Sequence, residues 1–175
     1  MHATIDLETL DTRPDCVILS LGGVKFNPSN STDPHDEIYF KFDIDSQTKM
    51  GRSISDGTLE WWGKQDPKVM EEAFSDDDRK SLDSITSEIS KWLVGVDVLW
   101  GQGYGFDMTI LENLYWQLEK PVPWNFWQVR DSRTLFKCCK KDPRKSMQTD
   151  LHNALADAYY QSKAIQLAYK ELGVK

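Results

Sequence analysis

Runs of apolar residues near the start of the chain predict three β-strands. They cover residues 2–7, 17–26 and 37–44, and turns rich in Pro, Asp and Ser separate them. Sequential strands with short links usually lie side by side, so we expect an antiparallel meander. Residues 29–36 and a later segment, 75–80, are predicted to be exposed loops.

Helical periodicity takes over after this meander. Asp66 followed by Pro67 is typical of a helix start. Further along, apolar residues recur at helical spacing at Ile85, Ile89, Trp92 and Leu93.

The second half of the chain alternates strand and helix. Residues 96–100 predict a buried strand, the turn GQGYG follows, and residues 106–118 place apolar side chains on one helical face. A brief strand at 127–130 and a long helix from about 150 to 172, ended by Gly173, complete the pattern. The order β-β-β-α-β-α-β-α predicts an α/β fold, with a mixed five-stranded sheet and helices on both of its faces.

Composition narrows the class of protein. With 175 residues, 39% of them hydrophobic and 28% charged, the chain is expected to fold as a single domain over 1–175. The net charge of -7 argues against a protein that coats nucleic acid, whereas an acidic site that recruits cations is compatible with it. The chain shows no secretory leader and no apolar run of membrane length, so we expect a cytoplasmic protein with no membrane partner.

Two acidic residues share one side of the first predicted strand. Asp6 and Glu8 are two positions apart, so both carboxylates point the same way. Chance alone produces such pairs in a chain with 28 acidic residues, and a solvated strand edge would explain them. The apolar neighbours Ile5 and Leu7 favour a metal site, because buried like charges are costly unless a cation joins them.

Three further residues could complete such a site. Asp107 opens the predicted helix after GQGYG, where helix capping is by itself a sufficient explanation. His152 lies near the start of the last helix, and Asp157 follows five positions later. Carboxylates from three separate segments plus one histidine suit two-metal phosphoryl chemistry, in which acids hold the ions and a histidine takes a proton from water.

Three short motifs resemble those of a known enzyme family. DLETL, GYGFD and HNALADA match, in order and spacing, the motifs of the DEDDh 3′→5′ exonucleases. KFDIDSQTKMGRSISDGTLEWWGKQDP and PWNFWQVRDSRT are similar to segments of its branch that contains the phage exonuclease A and RNase AS-like proteins. The resemblance covers nearly the whole chain and implies a ribonuclease H-like fold.

The resemblance also implies a role for each motif residue. Asp6, Glu8 and Asp157 would bind the first of two Mg²⁺ ions, for which Mn²⁺ could substitute. Asp6 would also bridge to the second ion, and Asp107 would hold that ion largely through water. His152 would deprotonate the water that attacks the terminal phosphodiester, releasing a nucleoside 5′-monophosphate without a covalent intermediate.

Substrate contacts are implied less directly. Thr9 and Leu10 would pack beside the terminal base and sugar, and Trp61 could stack on an unpaired base, although Trp61 and Trp62 could equally belong to the core. The basic stretch 130–145 could steer phosphates or could simply be solvated. The expected partners are 3′ ends of single-stranded DNA or RNA, with DNA slightly favoured by the resemblance to exonuclease A; a homodimer is compatible with an exposed tryptophan surface.

Two other functions stay open from the residues alone. One is a catalytically idle binding module of the same fold, which the loss of a carboxylate or of the histidine would indicate. The other is an endonuclease or integrase of this fold, which would not need the HNALAD arrangement. All five motif residues are present and the histidine lies five positions before the last aspartate, so we favour the exonuclease.

Overall fold

A mixed six-stranded sheet forms the centre of the molecule. The computed structural model describes residues 1–103, 105–147 and 152–174. The strands are β1 (His2–Thr9), β2 (Ile18–Phe26), β3 (His35–Phe42), β4 (Arg79–Lys80), β5 (Val98–Gly101) and β6 (Val129–Asp131). Their order across the sheet is β4-β3-β2-β1-β5-β6. β1 therefore lies inside the sheet, antiparallel to β2 on one side and parallel to β5 on the other.

Helices cover both faces of this sheet, as predicted. They are α1 (Ile44–Lys49), α2 (Asp56–Trp62), α3 (Pro67–Phe74), α4 (Leu82–Trp92), α5 (Asp107–Gln117), α6 (Ser132–Lys137) and α7 (Ala154–Leu172), with short 3₁₀ segments at Phe126–Gln128 and Pro143–Ser146. The long helix α7 packs against β1 and β2. In the described part of the chain, no helix is both long enough and apolar enough to cross a membrane.

Alternation along β1 assigns its side chains to the two faces. Ala3, Ile5 and Leu7 are buried in the main hydrophobic cluster, together with apolar residues of α4 and α5. The residues between them point to the opposite face, the one that α7 covers. A second cluster on that side joins Phe26 and Trp100 to α7. Asp6 and Glu8 thus belong to a strand whose surroundings are largely apolar.

The structure adds one strand and three short helices to the predicted elements. β4 lies within the segment expected to be an exposed loop, and it pairs with β3 in parallel. Its two residues are too few for any periodicity to show, and Arg79 secures it by donating to the carbonyl oxygens of Phe42 and Ala73. Helices α1, α2 and α6 were also not predicted, since each has only six or seven residues.

Several predicted boundaries are wrong. The third strand covers His35–Phe42 instead of residues 37–44, and Ile44 opens α1. The last helix begins at Ala154 with Asn153 as its N-cap, so His152 precedes the helix instead of lying on it. Residues 150 and 151 of the expected helix fall outside the described part of the chain. The strand expected at 127–130 begins only at residue 129, because the residues before it form a 3₁₀ turn.

Candidate active site

The five residues predicted to form the metal site and the general base all line a single cavity. It has a volume of about 720 Å³ and lies where the carboxyl ends of the parallel strands β1 and β5 meet the start of α7. The five are Asp6, Glu8, Asp107, His152 and Asp157. Ligands of α/β sheets commonly bind at this end of the strands.

A close approach of α7 to the sheet closes one side of the cavity. Gly22 on β2 pairs with Asp6 on β1. A Cβ atom at Gly22 would lie 2.2 Å from the carbonyl carbon of Ala154 and the same distance from the nitrogen of Leu155. Only a glycine at this position allows the first turn of α7, and with it Asp157, to reach the acids of β1.

Asp107 is fixed by two backbone amides. It is the first residue of α5 and is buried. Its Oδ1 accepts from the N–H of Leu7 at 3.2 Å, and its Oδ2 accepts from the N–H of Gln102 at 3.1 Å. The Leu7 amide lies just beyond the end of the β1–β5 pairing. The carboxylate thus extends the hydrogen bonding of the sheet, a different role from the helix cap that the sequence allowed.

A tight turn before α7 places His152 beside Asp157. Asn153 caps the helix by accepting from the N–H of Ala156 at 3.0 Å. Asp157 Oδ2 accepts from the backbone N–H of His152, also at 3.0 Å. His152 has a φ of 69°, a left-handed conformation that is uncommon outside glycine. The hydrogen bond to Asp157 therefore holds the histidine in a turn that its own backbone disfavours.

The two neighbouring tryptophans have different environments. Trp62 is buried and donates from Nε1 to the carbonyl oxygen of Thr9 at 2.9 Å. Trp61 is 40% exposed, and its ring meets the His152 imidazole edge to face with 4.7 Å between centroids. Trp61 therefore limits where the imidazole can turn. Its stacking on a substrate base stays a prediction.

Thr9 and Leu10 lie deeper than a base-contacting pair would suggest. Leu10 is buried in a small cluster with Trp62. Thr9 is also buried, and its hydroxyl donates to the carbonyl oxygen of Asp11 at 2.8 Å. Neither is among the described residues that line the cavity. Their contact with a terminal nucleotide stays a prediction.

The structure adds Gln161 to the site. Its Nε2 donates to Asp6 Oδ1 at 2.7 Å, and the residue is only 4% exposed. Its Oε1 has no hydrogen-bond partner among the described residues. Gln161 lies four positions after Asp157 on α7 and so shares its helical face. That spacing is visible in the sequence, but an uncharged glutamine on a helix gives no signal of its own.

Burial disfavours the charged forms of all four carboxylic acids, and neighbouring acids add repulsion at Asp6 and Glu8. Burial, together with Asp107, Glu8 and Asp157, raises the pKa of Asp6 well above its ordinary value. Burial and the neighbouring acids raise the pKa of Glu8 to about 8. Burial raises the pKa of Asp107 to about 6 against the opposing effect of its amide donors, and it also raises the pKa of Asp157. Within the described residues, none of the four forms an ion pair with Lys or Arg.

This set of donors fits divalent cations. Ligand atoms of Glu8, His152 and Asp157 lie within 4.8 Å of one another. Several carboxylate oxygens converging without a protein cation are the environment that hard divalent ions prefer. A bound cation would also remove the repulsion that raises these pKa values.

Only part of the basic stretch 130–145 reaches this region. Arg133 lines the cavity, and its Nη2 donates to the carbonyl oxygen of Gln102 at 3.3 Å. Arg144 and Lys145 line a neighbouring pocket, where Arg144 is paired with Asp142 at 2.6 Å. Arg133 is thus the member of the stretch that is best placed to contact a phosphate at the acidic cluster.

Comparison with known proteins agrees with this geometry. The family model described as the 3′-5′ exoribonuclease Rv2179c-like domain matches residues 1–169. The chain belongs to this family. It is therefore a 3′-5′ exonuclease, and its acidic cluster agrees with the divalent-metal dependence of such enzymes. No curated protein sequence gives a significant match.

Solved structures show the same fold. Exonuclease X in complex with 5′ overhanging duplex DNA matches with a TM-score of 0.65 and 15% identity, over 100% of this chain and 95% of that chain. The nuclease domain of 3′hExo, a DEDDh family member bound to rAMP, matches with a TM-score of 0.61 and 14% identity, over 97% of this chain and 91% of that chain. The expected ribonuclease H-like fold of the DEDDh nucleases is thereby confirmed.

Proposed function

We propose that the chain shortens single-stranded nucleic acid from its 3′ end, one nucleotide at a time, and releases nucleoside 5′-monophosphates. The observation that carries this proposal is the convergence of Glu8, His152 and Asp157 within 4.8 Å, beside two further buried acids. RNA is the preferred substrate in this proposal. The family description names exoribonucleases and applies to residues 1–169, which outweighs the slight preference for DNA inferred from the sequence. That match also supports a single exonuclease unit over residues 1–175.

Two divalent cations, Mg²⁺ or Mn²⁺ in its place, are the cofactors that fit. Asp6, Glu8 and Asp157 would hold one ion, while Asp6 and Asp107 would hold the other. When bound, such ions supply Lewis acidity to the attacking water and neutralise charge at the phosphate and the leaving oxygen. The raised pKa values of the four acids support this assignment, since a cation makes their ionised forms favourable.

His152 is the general base in this proposal. It takes a proton from the water whose oxygen forms the new bond to phosphorus. The bond from phosphorus to the 3′-oxygen of the preceding nucleotide breaks, and that oxygen ends as a hydroxyl with a proton from solvent. The hydrogen bond from the His152 amide to Asp157 and the edge contact with Trp61 set the position of the imidazole.

Arg133 would contact the substrate phosphate. It lines the cavity, where the carboxylates otherwise repel an anionic strand. Its guanidinium has donors to spare beyond the bond to Gln102, and arginine suits phosphate oxygens because its donors form a planar fork.

Product analysis on denaturing gels tests this function. The purified chain is mixed with matched 5′-labelled single-stranded RNA or DNA, in Mg²⁺, in Mn²⁺ or in excess chelator. We expect a ladder that shortens by single nucleotides from the 3′ end, faster on RNA, and no products in chelator. Asp157→Asn, prepared in parallel, controls for a contaminating nuclease.

Three outcomes would contradict the proposal. Internal fragments would indicate an endonuclease. Faster hydrolysis of DNA would overturn the preference for RNA. Intact strands in both metals would favour an idle binding module.

A further inference from the structure

A second groove opens directly beside the catalytic cavity. It has a volume of about 610 Å³ and shares Gly103 and Asp131 with the cavity lining. Its walls are the first turns of α5, with Thr109, the 3₁₀ turn before β6, with Phe126, and β6 itself, with Arg130. We call it the aromatic groove. The two shared residues place the aromatic groove next to the acidic cavity.

One exposed aromatic side chain lines this groove, and a second lies directly beside the first. Phe126 lines it and is 84% exposed, and the adjacent Trp127 is 59% exposed. Their rings meet edge to face with 5.1 Å between centroids, so each ring leaves π-surface open. Clustered apolar surface of this kind on a folded domain is typical of a binding site.

The segment that carries these rings is held firmly in place. Phe126 and Trp127 belong to a 3₁₀ turn in which Gln128 and Asn125 form a reciprocal capping box. The Nε2 of Gln128 also donates to the carbonyl oxygen of Val96 at 2.9 Å, which ties the turn to the end of α4 and the start of β5. A rigid aromatic platform loses little conformational entropy when a partner binds.

Arg130 is the basic side chain on the wall of the aromatic groove, and the two acids there are held by protein donors. Glu112 accepts from Trp124 Nε1 at 2.9 Å. Asp131 accepts from the N–H of Gly103 at 3.1 Å and caps α6, so both acids are engaged by protein donors. The guanidinium of Arg130 lies on the wall and is anchored by its bond to the carbonyl oxygen of Val129 at 2.9 Å.

We propose that the aromatic groove binds the nucleotides immediately upstream of the one being removed, with their unpaired bases stacked on Phe126 and Trp127. This inference rests on the proposed exonuclease function. Base stacking on aromatic rings is tolerant of sequence, which suits an enzyme that must shift along any strand after each cleavage. Continuity with the cavity favours a nucleic-acid strand over a second copy of the chain as the occupant.

The dependence of kcat/KM on substrate length tests whether the aromatic groove binds upstream nucleotides. The quantity to compare is kcat/KM on a dinucleotide, which reaches little beyond the cavity, and on an RNA of about 12 nucleotides, within the usual site sizes of single-strand binders. We expect kcat/KM to rise with length in the unchanged protein. In Phe126→Ala and Trp127→Ala the gain from length should fall by about 5-fold or more, the loss expected when a base loses a stacking partner.

Matched variants separate stacking from general damage. Trp116→Ala removes another exposed tryptophan, 63% exposed on α5. Among the described residues, Trp116 neither lines the aromatic groove nor packs on the Phe126 ring, so this variant should keep the full length dependence. Phe126→Tyr keeps an aromatic ring and should also keep the full length dependence. If both alanine variants show the same length dependence as the unchanged protein, the aromatic groove does not bind upstream nucleotides, and the exonuclease function is unaffected. If no form of the protein hydrolyses either RNA, the proposed exonuclease function itself is contradicted.

Light scattering tests whether a second copy of the chain, instead of a nucleic-acid strand, binds the exposed rings. If the unchanged protein is a dimer and Phe126→Ala or Trp127→Ala makes it a monomer, the exposed rings form a contact between copies, and the groove proposal fails. A mass that stays the same in all forms, together with the reduced length dependence, supports the strand-binding groove.

Discussion

The backbone N–H of His152 donates to Asp157 Oδ2 at 3.0 Å across a turn in which the histidine has a φ of 69°. His152 and Asp157, five positions apart, are therefore brought together by a turn that precedes α7, and Asn153 is the N-cap of that helix. Asp157 has two tasks in this arrangement: it offers one oxygen to the site and uses the other to hold the proposed base.

These two tasks of Asp157 can be separated by mutation. Asp157→Asn keeps an acceptor for the His152 amide but loses the charge, whereas Asp157→Ala loses both. We expect both variants to be inactive with Mg²⁺ or Mn²⁺. In chelator, urea unfolding should show Asp157→Ala to be about 1 kcal/mol less stable than Asp157→Asn, because a hydrogen bond is lost. Turnover by Asp157→Asn would show that its charge is not needed to bind metal.

Removing the imidazole tests the general base. The substitution His152→Asn suits the site because asparagine tolerates the left-handed backbone found there. We expect kcat to fall by about 10²–10⁴-fold, the usual contribution of a general base. Calorimetry should show nearly unchanged Mn²⁺ affinity. A large loss of that affinity would instead make His152 a metal ligand.

The sequence was sufficient for the sheet meander and for the five residues of the acidic cavity. Strand alternation placed Asp6 and Glu8 on the same face, and the family motifs identified Asp107, His152 and Asp157. What it could not show was how they are held. The position of Asp107 depends on the Leu7 amide, 100 residues away in the chain, and no local pattern encodes that contact.

Other features escaped prediction because their signals are short or compete with other patterns. β4 consists of two residues and depends entirely on pairing with β3. The start of α7 was placed too early, because Asn153 is the cap that decides where the helix begins and other cap-forming residues precede it. Gln161 was overlooked because a glutamine on a helix carries no charge pattern.

The stability of the metal-free protein should fall as pH rises. The pKa of Glu8 is raised from 4.5 to about 8 and that of Asp107 from 3.8 to about 6, so between these limits the folded chain holds protons that the unfolded chain has released. This contribution to stability is fully present below the ordinary pKa values and is lost as pH rises through the folded ones. Urea unfolding in chelator across this pH range measures it.

Two comparisons make the pH test specific. Glu8→Gln should weaken the pH dependence, because the share of Glu8 is lost while the other buried acids still titrate. Added Mn²⁺ should restore stability near pH 8, because the cation favours the ionised forms of the acids and binds the folded chain only. A metal-free protein that becomes more stable as pH rises would contradict the assignment.

Gln161 should affect metal binding through Asp6. Gln161→Leu removes the bond to Asp6 Oδ1 while keeping a similar volume, and losing an outer partner of a ligand typically costs about 10–100-fold in metal affinity or activity. Calorimetry with Mn²⁺ in the absence of substrate measures this directly. Gln166→Leu is the matched control: Gln166 is also buried on α7 but donates to Asn27 and Thr32 instead. Equal Mn²⁺ affinity in Gln161→Leu and the unchanged protein would limit Gln161 to packing.

Gly22 should be the most sensitive glycine of the fold. A Cβ in Gly22→Ala would lie 2.2 Å from the backbone of Ala154, so α7 must move away from β1 and carry Asp157 with it. We expect the unfolding free energy to fall by about 1–3 kcal/mol or more, and activity to be lost with it. Gly57→Ala is the control, because Gly57 lies in helix α2 with its nearest neighbour, Ser55 Oγ, 3.6 Å from the added Cβ, and alanine there should stabilise the helix by about 0.5–1 kcal/mol. If Gly22→Ala unfolds like the unchanged protein and keeps its activity, the close approach of α7 is not what assembles the site.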